Sequence, residues 1–245
     1  MQMLRNVMYS AVVIIWVVVA TIVFGCTTIL TAFFSKKGNA PHLVARAWAR
    51  TILWVSRVKV TIKGLDNLPL DAPCILMPIH QSNFDIPVLL GRLPVQFRWL
   101  AKAELFKIPI FGRGMRGCGY ISIDRSNRKS AFKSLADATQ KIRDGASVLI
   151  FPEGTRSRDG EIGTFKKGGF VLTVDAGVPI VPIIINGTRT LMPKGSLLMK
   201  PCDVYMEILP PVASAGYTRK TKDLLMKDVR AIICTAFDRV REEQL

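Results

Sequence analysis

No charged residue occurs between Arg5 and Lys36. The run from Asn6 to Ser35 is about thirty residues of mostly Val, Ile, Ala, Thr and Phe, and about twenty apolar residues suffice to cross the hydrocarbon core of a bilayer. In water its β-branched residues would suit a strand. In lipid a lone strand leaves its backbone polar groups unpaired, so the run is expected to be a helix. One arginine precedes it, whereas Lys36, Lys37, His42, Arg46, Arg50 and Arg57 follow it. The larger positive cluster on the C-terminal side places the rest of the chain on the cytoplasmic face of a membrane. A cleaved signal peptide is disfavoured, because the run is too long and lacks a small-x-small cleavage site. Lipidation at Cys26 is disfavoured too, since Phe24 is bulky and apolar sequence continues past the cysteine.

The segment from Pro41 to Arg57 reads as a second helix. Arg46, Arg50 and Arg57 fall near one face, and Leu43, Ala47, Trp48, Leu53 and Trp54 supply apolar area, a mixture suited to a headgroup interface. The pair of helices can span the membrane, dip into one leaflet as a hairpin, or place the second helix on the core of the following domain. The expected division is residues 1–57 as membrane-anchoring helices and residues 58–245 as one domain.

The formal charge is +16, which calls for an anionic partner: nucleic acid, an anionic membrane or a phosphorylated substrate. No basic-aromatic motif supports nucleic acid, and nucleic acid does not explain the apolar N-terminus. Each Lys or Arg near an anionic leaflet adds about 1 kcal/mol of attraction. The five cysteines (Cys26, Cys74, Cys118, Cys202, Cys234) are odd in number with no close pairs, so neither a disulfide framework nor a zinc site is indicated.

From Val58 onward the pattern alternates. Val58–Lys63, Cys74–Pro78, Phe97–Ala101, Tyr120–Asp124, Ser147–Phe151, Ile180–Ile185 and Val204–Leu209 read as strands, the last as antiparallel or edge. Ile86–Leu90, Lys129–Arg143, Gly168–Ala176 and Asp223–Glu243 read as helices. In Lys129–Arg143 the inward residues are expected to be Phe132, Leu135, Ala138 and Ile142, with Gly145 closing the helix. In the last helix the expected apolar side is Leu225, Val229, Ile232, Ile233, Phe237 and Val240. Such alternation predicts an α/β fold: a mixed, mostly parallel sheet covered by helices, behind an N-terminal membrane-embedded helical segment.

Four strand ends carry chemistry. The first is His80-Gln81-Ser82-Asn83-Phe84-Asp85, after a buried strand. An imidazole beside a carboxylate can take a proton from an alcohol near neutral pH. On a regular helix five residues rotate by about 500 degrees and leave the two side chains about 140 degrees apart. They meet only if His80 lies in the strand-to-helix turn and Asp85 in the first helical turn. Ser82-x-x-Asp85 is equally a capping box, and both roles can hold together. The chain's other histidine, His42, has no nearby acid in sequence. The second end is Phe151-Pro152-Glu153-Gly154-Thr155-Arg156-Ser157, where Gly154 lets backbone approach a ligand and Arg156 can grip a phosphate; an ordinary turn with a surface ion pair fits as well. The third, Gly119–Arg125, closes on Asp124 and Arg125, a solvated strand end or a phosphate contact. The fourth, Val181-Pro182-Ile183-Ile184-Ile185-Asn186-Gly187, reads as core first and as an acyl-chain wall second.

In this order and spacing the four segments resemble the glycerolipid acyltransferase family, which includes bacterial 1-acylglycerol-3-phosphate acyltransferases. Ala101-Lys102-Ala103-Glu104-Leu105 with Gly119–Arg125 is similar to its second block, and the resemblance covers roughly Val58 to Gly187. It implies that His80 is the general base toward the free hydroxyl of lysophosphatidic acid, oriented by Asp85 in the manner of a triad without its serine. It implies that Lys102, Arg125, Glu153, Gly154 and Arg156 bind the glycerol phosphate. The acyl chain comes from acyl-CoA or acyl-ACP (acyl carrier protein), and no metal or other cofactor is expected, because a thioester brings its own activation. The implied setting is a bacterial inner membrane, with membrane phospholipids as partners. At Ser122 the chain departs from the family, which usually has an aromatic there; acceptor preference is the property this touches. Two other classes compete: a serine hydrolase, which would need a Gly-x-Ser-x-Gly absent from the chain, and a non-catalytic lipid-binding protein.

Overall fold

The computed structural model describes residues 1–243, the side chain of Arg128 excepted. Two helices open the chain, α1 (Gln2–Ala32) and α2 (Asn39–Val55). Then come β1 (Val60–Lys63), β2 (Ile75–Pro78), α3 (Asp85–Arg92), β3 (Phe97–Lys102), α4 (Phe111–Gly117), β4 (Ile121–Ile123) and α5 (Arg128–Arg143). The chain closes with β5 (Ser147–Leu149), α6 (Lys167–Ala176), β6 (Ile180–Asn186), α7 (Thr188–Leu191), β7 (Val204–Ile208) and α8 (Lys222–Glu243).

The strands form one sheet in the order β1-β7-β6-β2-β5-β3-β4. All neighbours are parallel except the antiparallel pair β6 and β7. The fold is therefore the mixed, mostly parallel α/β sheet that the alternation predicts. β7 is antiparallel but not at the edge, because β1 runs outside it. The central strands β6, β2 and β5 are apolar but for Asn186 and Ser147 at their ends, since both faces are covered. Leu76, Leu149, Val181, Ile183 and Ile185 face one hydrophobic cluster. Ile75, Met77, Val148, Ile180 and Ile184 face the other. The first cluster receives Val88, Leu89 and Leu90 of α3; the second receives Leu135, Ala138 and Ile142 of α5 and the inner face of α8. Because the crossovers after β2 and β4 leave on opposite faces, a crevice opens at the carboxyl ends of β2 and β5. That is where open α/β sheets hold ligands.

Two side chains depart from expectation. Phe132 is half-exposed, and Ala131 takes the inward position at the start of α5, in register with Leu135, Ala138 and Ile142. Ile232 is partly exposed while Ile233 is buried, because on α8 the buried stripe runs through positions 225, 229, 233, 236 and 240.

The N-terminal helices belong to the same packed body as the sheet. Ala49, Ile52 and Leu53 of α2 and Val13 of α1 sit in the first core cluster, so α2 is a helix packed on the core. It still presents Leu43 and Trp54 outward. α1 is patterned inside out. Its buried residues are Asn6, Ser10, Val13, Ala20 and Thr28, and its exposed ones include Met3, Leu4, Val7, Met8, Val12, Ile15, Val18, Val19, Ile22 and Val23. The polar residues of the charge-free run thus face protein, the arrangement lipid favours. Among the described residues α1 alone is long and apolar enough to cross a membrane.

α4 has the sequence Phe111-Gly112-Arg113-Gly114-Met115-Arg116-Gly117, too rich in glycine for helix propensity to suggest it. Packing selects it. A Cβ on Gly117 would lie 2.9 Å from Cβ of Ala32 on α1, and one on Gly112 would collide with the carbonyl oxygen of Phe106.

Candidate active site

β2 ends at Pro78, and His80 follows in the turn to α3, whose first residue is Asp85. His80 Nδ1 lies 2.8 Å from Asp85 Oδ2. The same carboxylate oxygen accepts the backbone N–H groups of Gln81 at 2.7 Å and Ser82 at 2.9 Å. Asp85 therefore holds the helix start and pairs with the imidazole at once. Its other oxygen, Oδ1, accepts from the Thr188 hydroxyl at 2.5 Å. Asp85 and Thr188 are fully buried. The His80 ring stacks on Phe151, centroids 3.7 Å apart and planes 11° from parallel. With Nδ1 engaged and one ring face covered, Nε2 is left as the nitrogen free to act, and His80 lines an open cavity.

The segment after β5 wraps behind this histidine. Glu153 is 3% exposed. Its Oε1 accepts the backbone N–H of His80 at 2.9 Å, and its Oε2 accepts that of Gly163 at 2.8 Å. Burial pushes its carboxyl above the usual carboxylate range, while the two N–H bonds pull it back. The Ser157 N–H donates to the His80 carbonyl at 2.8 Å, so residues 153 and 157 clamp the His80 backbone from both sides. Gly154 has φ of +71°, the left-handed region that favours glycine. Its carbonyl accepts from the Arg125 guanidinium. A Cβ there would meet Arg125 Nη1 at 2.6 Å.

One cavity of about 350 Å³ begins at His80, Lys102, Arg125, Gly154, Thr155 and Arg156 and runs inward between the helices. Deeper in, its walls are apolar: Phe24 and Gly25 of α1, Trp48 of α2, Leu90 of α3, and Phe111 and Met115 of α4. Five of the seven residues singled out from the sequence thus share one cavity. Asp85 and Glu153 lie behind it, bonded to His80. Lys102 pairs with Glu104 at 3.1 Å, both exposed. Ser122 is exposed on β4, between the buried Ile121 and Ile123, and is absent from the cavity wall. Val181 to Ile185 fill the sheet core, so this strand end is core and not an acyl-chain wall.

His42 is fully buried. Its Nδ1 lies 3.1 Å from the Tyr120 hydroxyl, and its ring meets Phe97 edge-on. Burial, with Arg98 and Arg46 nearby, lowers it to about 3. It is held neutral and walled off, which leaves His80 as the accessible imidazole of the two.

Sequence reasoning missed two residues. Thr188 stands just past the fourth strand end, and its only signal was that position. Lys194 donates from Nζ to the Arg156 carbonyl at 2.6 Å and to the Thr155 hydroxyl at 3.2 Å; nothing local in Met192-Pro193-Lys194-Gly195 announces it.

An α/β sheet that sets an imidazole–carboxylate pair and basic residues at the mouth of an apolar cavity is an arrangement suited to an acyltransferase. The family model "Acyltransferase" matches residues 59–186, and the chain belongs to that family. It is 37% identical over 201 residues to the chloroplastic 1-acyl-sn-glycerol-3-phosphate acyltransferase BAT2 of Brassica napus, a match covering 81% of this chain and 56% of that protein. It is 36% identical over 180 residues to the 1-acyl-sn-glycerol-3-phosphate acyltransferase of Pseudomonas aeruginosa, covering 71% of this chain and 69% of that one. The chain spans about half the length of the Brassica napus, Arabidopsis thaliana and Chlamydomonas reinhardtii relatives it matches. The crystal structure of the 1-acyl-sn-glycerophosphate (LPA) acyltransferase PlsC of Thermotoga maritima superposes with a TM-score of 0.83 at 27% identity, over 98% of each chain.

Proposed function

We propose that this protein transfers an acyl chain from acyl-CoA or acyl-ACP to the sn-2 hydroxyl of lysophosphatidic acid, giving phosphatidic acid for phospholipid synthesis. The observation that carries this reading is the His80–Asp85 pair at the mouth of an apolar cavity ringed by Lys102, Arg125 and Arg156. The names of the bacterial and plant relatives support it.

His80 Nε2 takes the proton of the acceptor hydroxyl as that oxygen attacks the thioester carbonyl carbon. Asp85 keeps Nδ1 protonated and stabilises the imidazolium that forms. The tetrahedral intermediate collapses with loss of the thiolate, which takes the proton back from the imidazolium. The nucleophile is the substrate's own hydroxyl, so the chain needs no serine or cysteine of its own for the transfer. Arg125 and Arg156, with Lys102, hold the phosphate, and the apolar depth of the cavity takes an acyl chain. Glu153 acts through His80: its two oxygens are spent on backbone N–H groups, and a carboxylate would repel a phosphate.

α1 supports a setting on the membrane rather than across it. It is tied to the rest of the fold from Tyr9, whose hydroxyl donates to the Ser56 carbonyl, to Ala32, which packs on Gly117. That is about 35 Å of helix at 1.5 Å per residue, more than the roughly 30 Å of hydrocarbon. An upright α1 would carry the attached domain into the bilayer core. Lying flat, it gives lipid its apolar outer face and keeps Asn6, Ser10 and Thr28 against protein. We place the catalytic domain on the cytoplasmic face of the inner membrane, following the positive cluster after α1.

The test offers purified protein several lysolipids with acyl-CoA and acyl-ACP, read by mass spectrometry. Phosphatidic acid is the expected product; transfer to unphosphorylated or phosphodiester acceptors in preference to lysophosphatidic acid overturns the acceptor assignment. Arg156→Ala is expected to lower kcat/KM for lysophosphatidic acid by about 10- to 100-fold, the worth of a charge-assisted hydrogen bond, with the thioester KM nearly unmoved. Equal losses for both substrates count against its phosphate role. Thr188→Val keeps the shape but removes the bond to Asp85 Oδ1. It is expected to lower kcat by about tenfold with little change in KM, and an unchanged kcat would show Asp85 is held well enough without it.

A further inference from the structure

Between α7 and β7 the chain runs from Met192 to Asp203 without regular structure, and this loop touches both sides of the molecule's business. At its start the Met192 carbonyl accepts the Ser82 hydroxyl at 2.7 Å, inside the segment that holds His80 and Asp85. Two residues on, Lys194 grips the Arg156 carbonyl at 2.6 Å. At its far end Met199 is buried, and its N–H donates to the Ser10 hydroxyl of α1 at 2.7 Å. Between these anchors Leu197 is 71% exposed and Leu198 38%. The loop is held in shape by its own bonds: Ser196 N–H to the Pro193 carbonyl at 3.1 Å and Leu198 N–H to the Ser196 hydroxyl at 3.0 Å.

We propose that Leu197 and Leu198 form a wedge that enters the lipid surface beside α1, and that the loop carries this contact to the catalytic segments through Met192 and Lys194. This rests on the reading of α1 as lying flat in the membrane. Three observations choose a bilayer as the occupant. The exposed leucine pair directly precedes Met199, whose N–H bonds to Ser10 of α1, so it stands beside the helix that carries the long apolar outer face. The exposed Lys200 follows the pair, and leucines that enter hydrocarbon beside a lysine that stays at the phosphates are the pattern of an interfacial contact. The loop's shape is already set, so insertion orders little new chain. The wedge seats the loop at the bilayer surface, and the loop bonds to Ser82 and Arg156 through Met192 and Lys194, so the catalytic segments are held against the surface that carries the acceptor. Turnover on membrane-borne acceptor therefore gains over turnover on an acceptor free in water.

The full chain with Leu197→Trp is mixed with phosphatidylcholine–phosphatidylglycerol vesicles, with and without dibrominated acyl chains, and the wild-type signal of Trp16, Trp48, Trp54 and Trp99 is subtracted. The expected result is a blue-shifted residue-197 emission quenched by the brominated lipid. Leu197→Ser with Leu198→Ser, both exposed and so harmless to the core, is expected to weaken vesicle binding by tenfold or more. It should lower turnover on vesicle-borne acceptor while leaving a short-chain soluble acceptor unaffected. Lys194→Met should leave the quenching intact but remove the advantage of the vesicle-borne acceptor. Wild type that floats with vesicles while residue 197 stays unquenched overturns the wedge alone. A blue shift on raising protein concentration without lipid assigns the leucines to a second copy and overturns it as well. Wild type that fails to float overturns the flat-lying α1 and the wedge together.

Discussion

His80→Ala lowers acyl transfer by about 10²- to 10⁴-fold, the range for loss of a positioned general base, while the thermal midpoint and vesicle binding stay close to wild type. The ring is partly exposed at the cavity mouth, so its loss opens no core cavity. Asp85 keeps three partners: the N–H groups of Gln81 and Ser82 and the Thr188 hydroxyl. Asp85 variants then separate charge from geometry. In Asp85→Asn the amide oxygen takes the place of Oδ2, where the His80, Gln81 and Ser82 donors converge, and the amide nitrogen faces Thr188, whose hydroxyl can turn to accept. Tautomer and ring orientation survive, and only the charge opposite the imidazolium is lost. Its rate should fall less than that of His80→Ala. Asp85→Ala leaves buried donors without acceptors, at about 1–3 kcal/mol each, and should lose both rate and stability. Single-turnover rates alongside melting curves decide this. A His80→Ala protein within tenfold of wild type would remove the general-base role.

The strand ends were legible because buried strands announce themselves as apolar runs, and polar residues directly after such runs stand out. His80, Arg125, Gly154 and Arg156 stand out that way. What stayed hidden depends on groups the sequence does not display. α4 exists because Gly112 and Gly117 admit the Phe106 backbone and Ala32, a packing reason that overrides glycine's poor helix propensity. The direction in which α1 faces was written in Asn6, Ser10 and Thr28, but reading it required knowing that its surroundings invert the usual pattern. Lys194 serves through a carbonyl 38 residues away in sequence, and backbone carbonyls carry no residue-specific signal. Glu153 sits in a segment whose sequence suggests a ligand contact, whereas its partners are the N–H groups of His80 and Gly163.

Glu153→Ala tests that last distinction, with a loss of stability as the expected result. Two part-buried N–H groups lose their acceptor, and at about 1 kcal/mol or more each the cost is a sizeable part of a typical domain's stability. Activity falls too, in kcat, because the His80 backbone loses one of its clamps. Glu153→Gln is milder: its oxygen still accepts one N–H, but its amide nitrogen cannot accept the other. The pH dependence has a fixed sign. Burial holds the Glu153 carboxyl above its ordinary value of 4.5, so the folded state binds the proton more tightly than the unfolded chain. Its contribution is complete below the ordinary value and is lost as pH rises through the folded one. The stability of wild type relative to Glu153→Gln should therefore decline as pH rises from 4.5 and then level off, because glutamine does not titrate. A side chain that held the phosphate directly would behave otherwise: Glu153→Ala would melt like wild type and raise only the KM for lysophosphatidic acid. Melting curves across pH, paired with KM and kcat for each substrate, separate the two. Burial, with each oxygen on a backbone N–H, favours the brace.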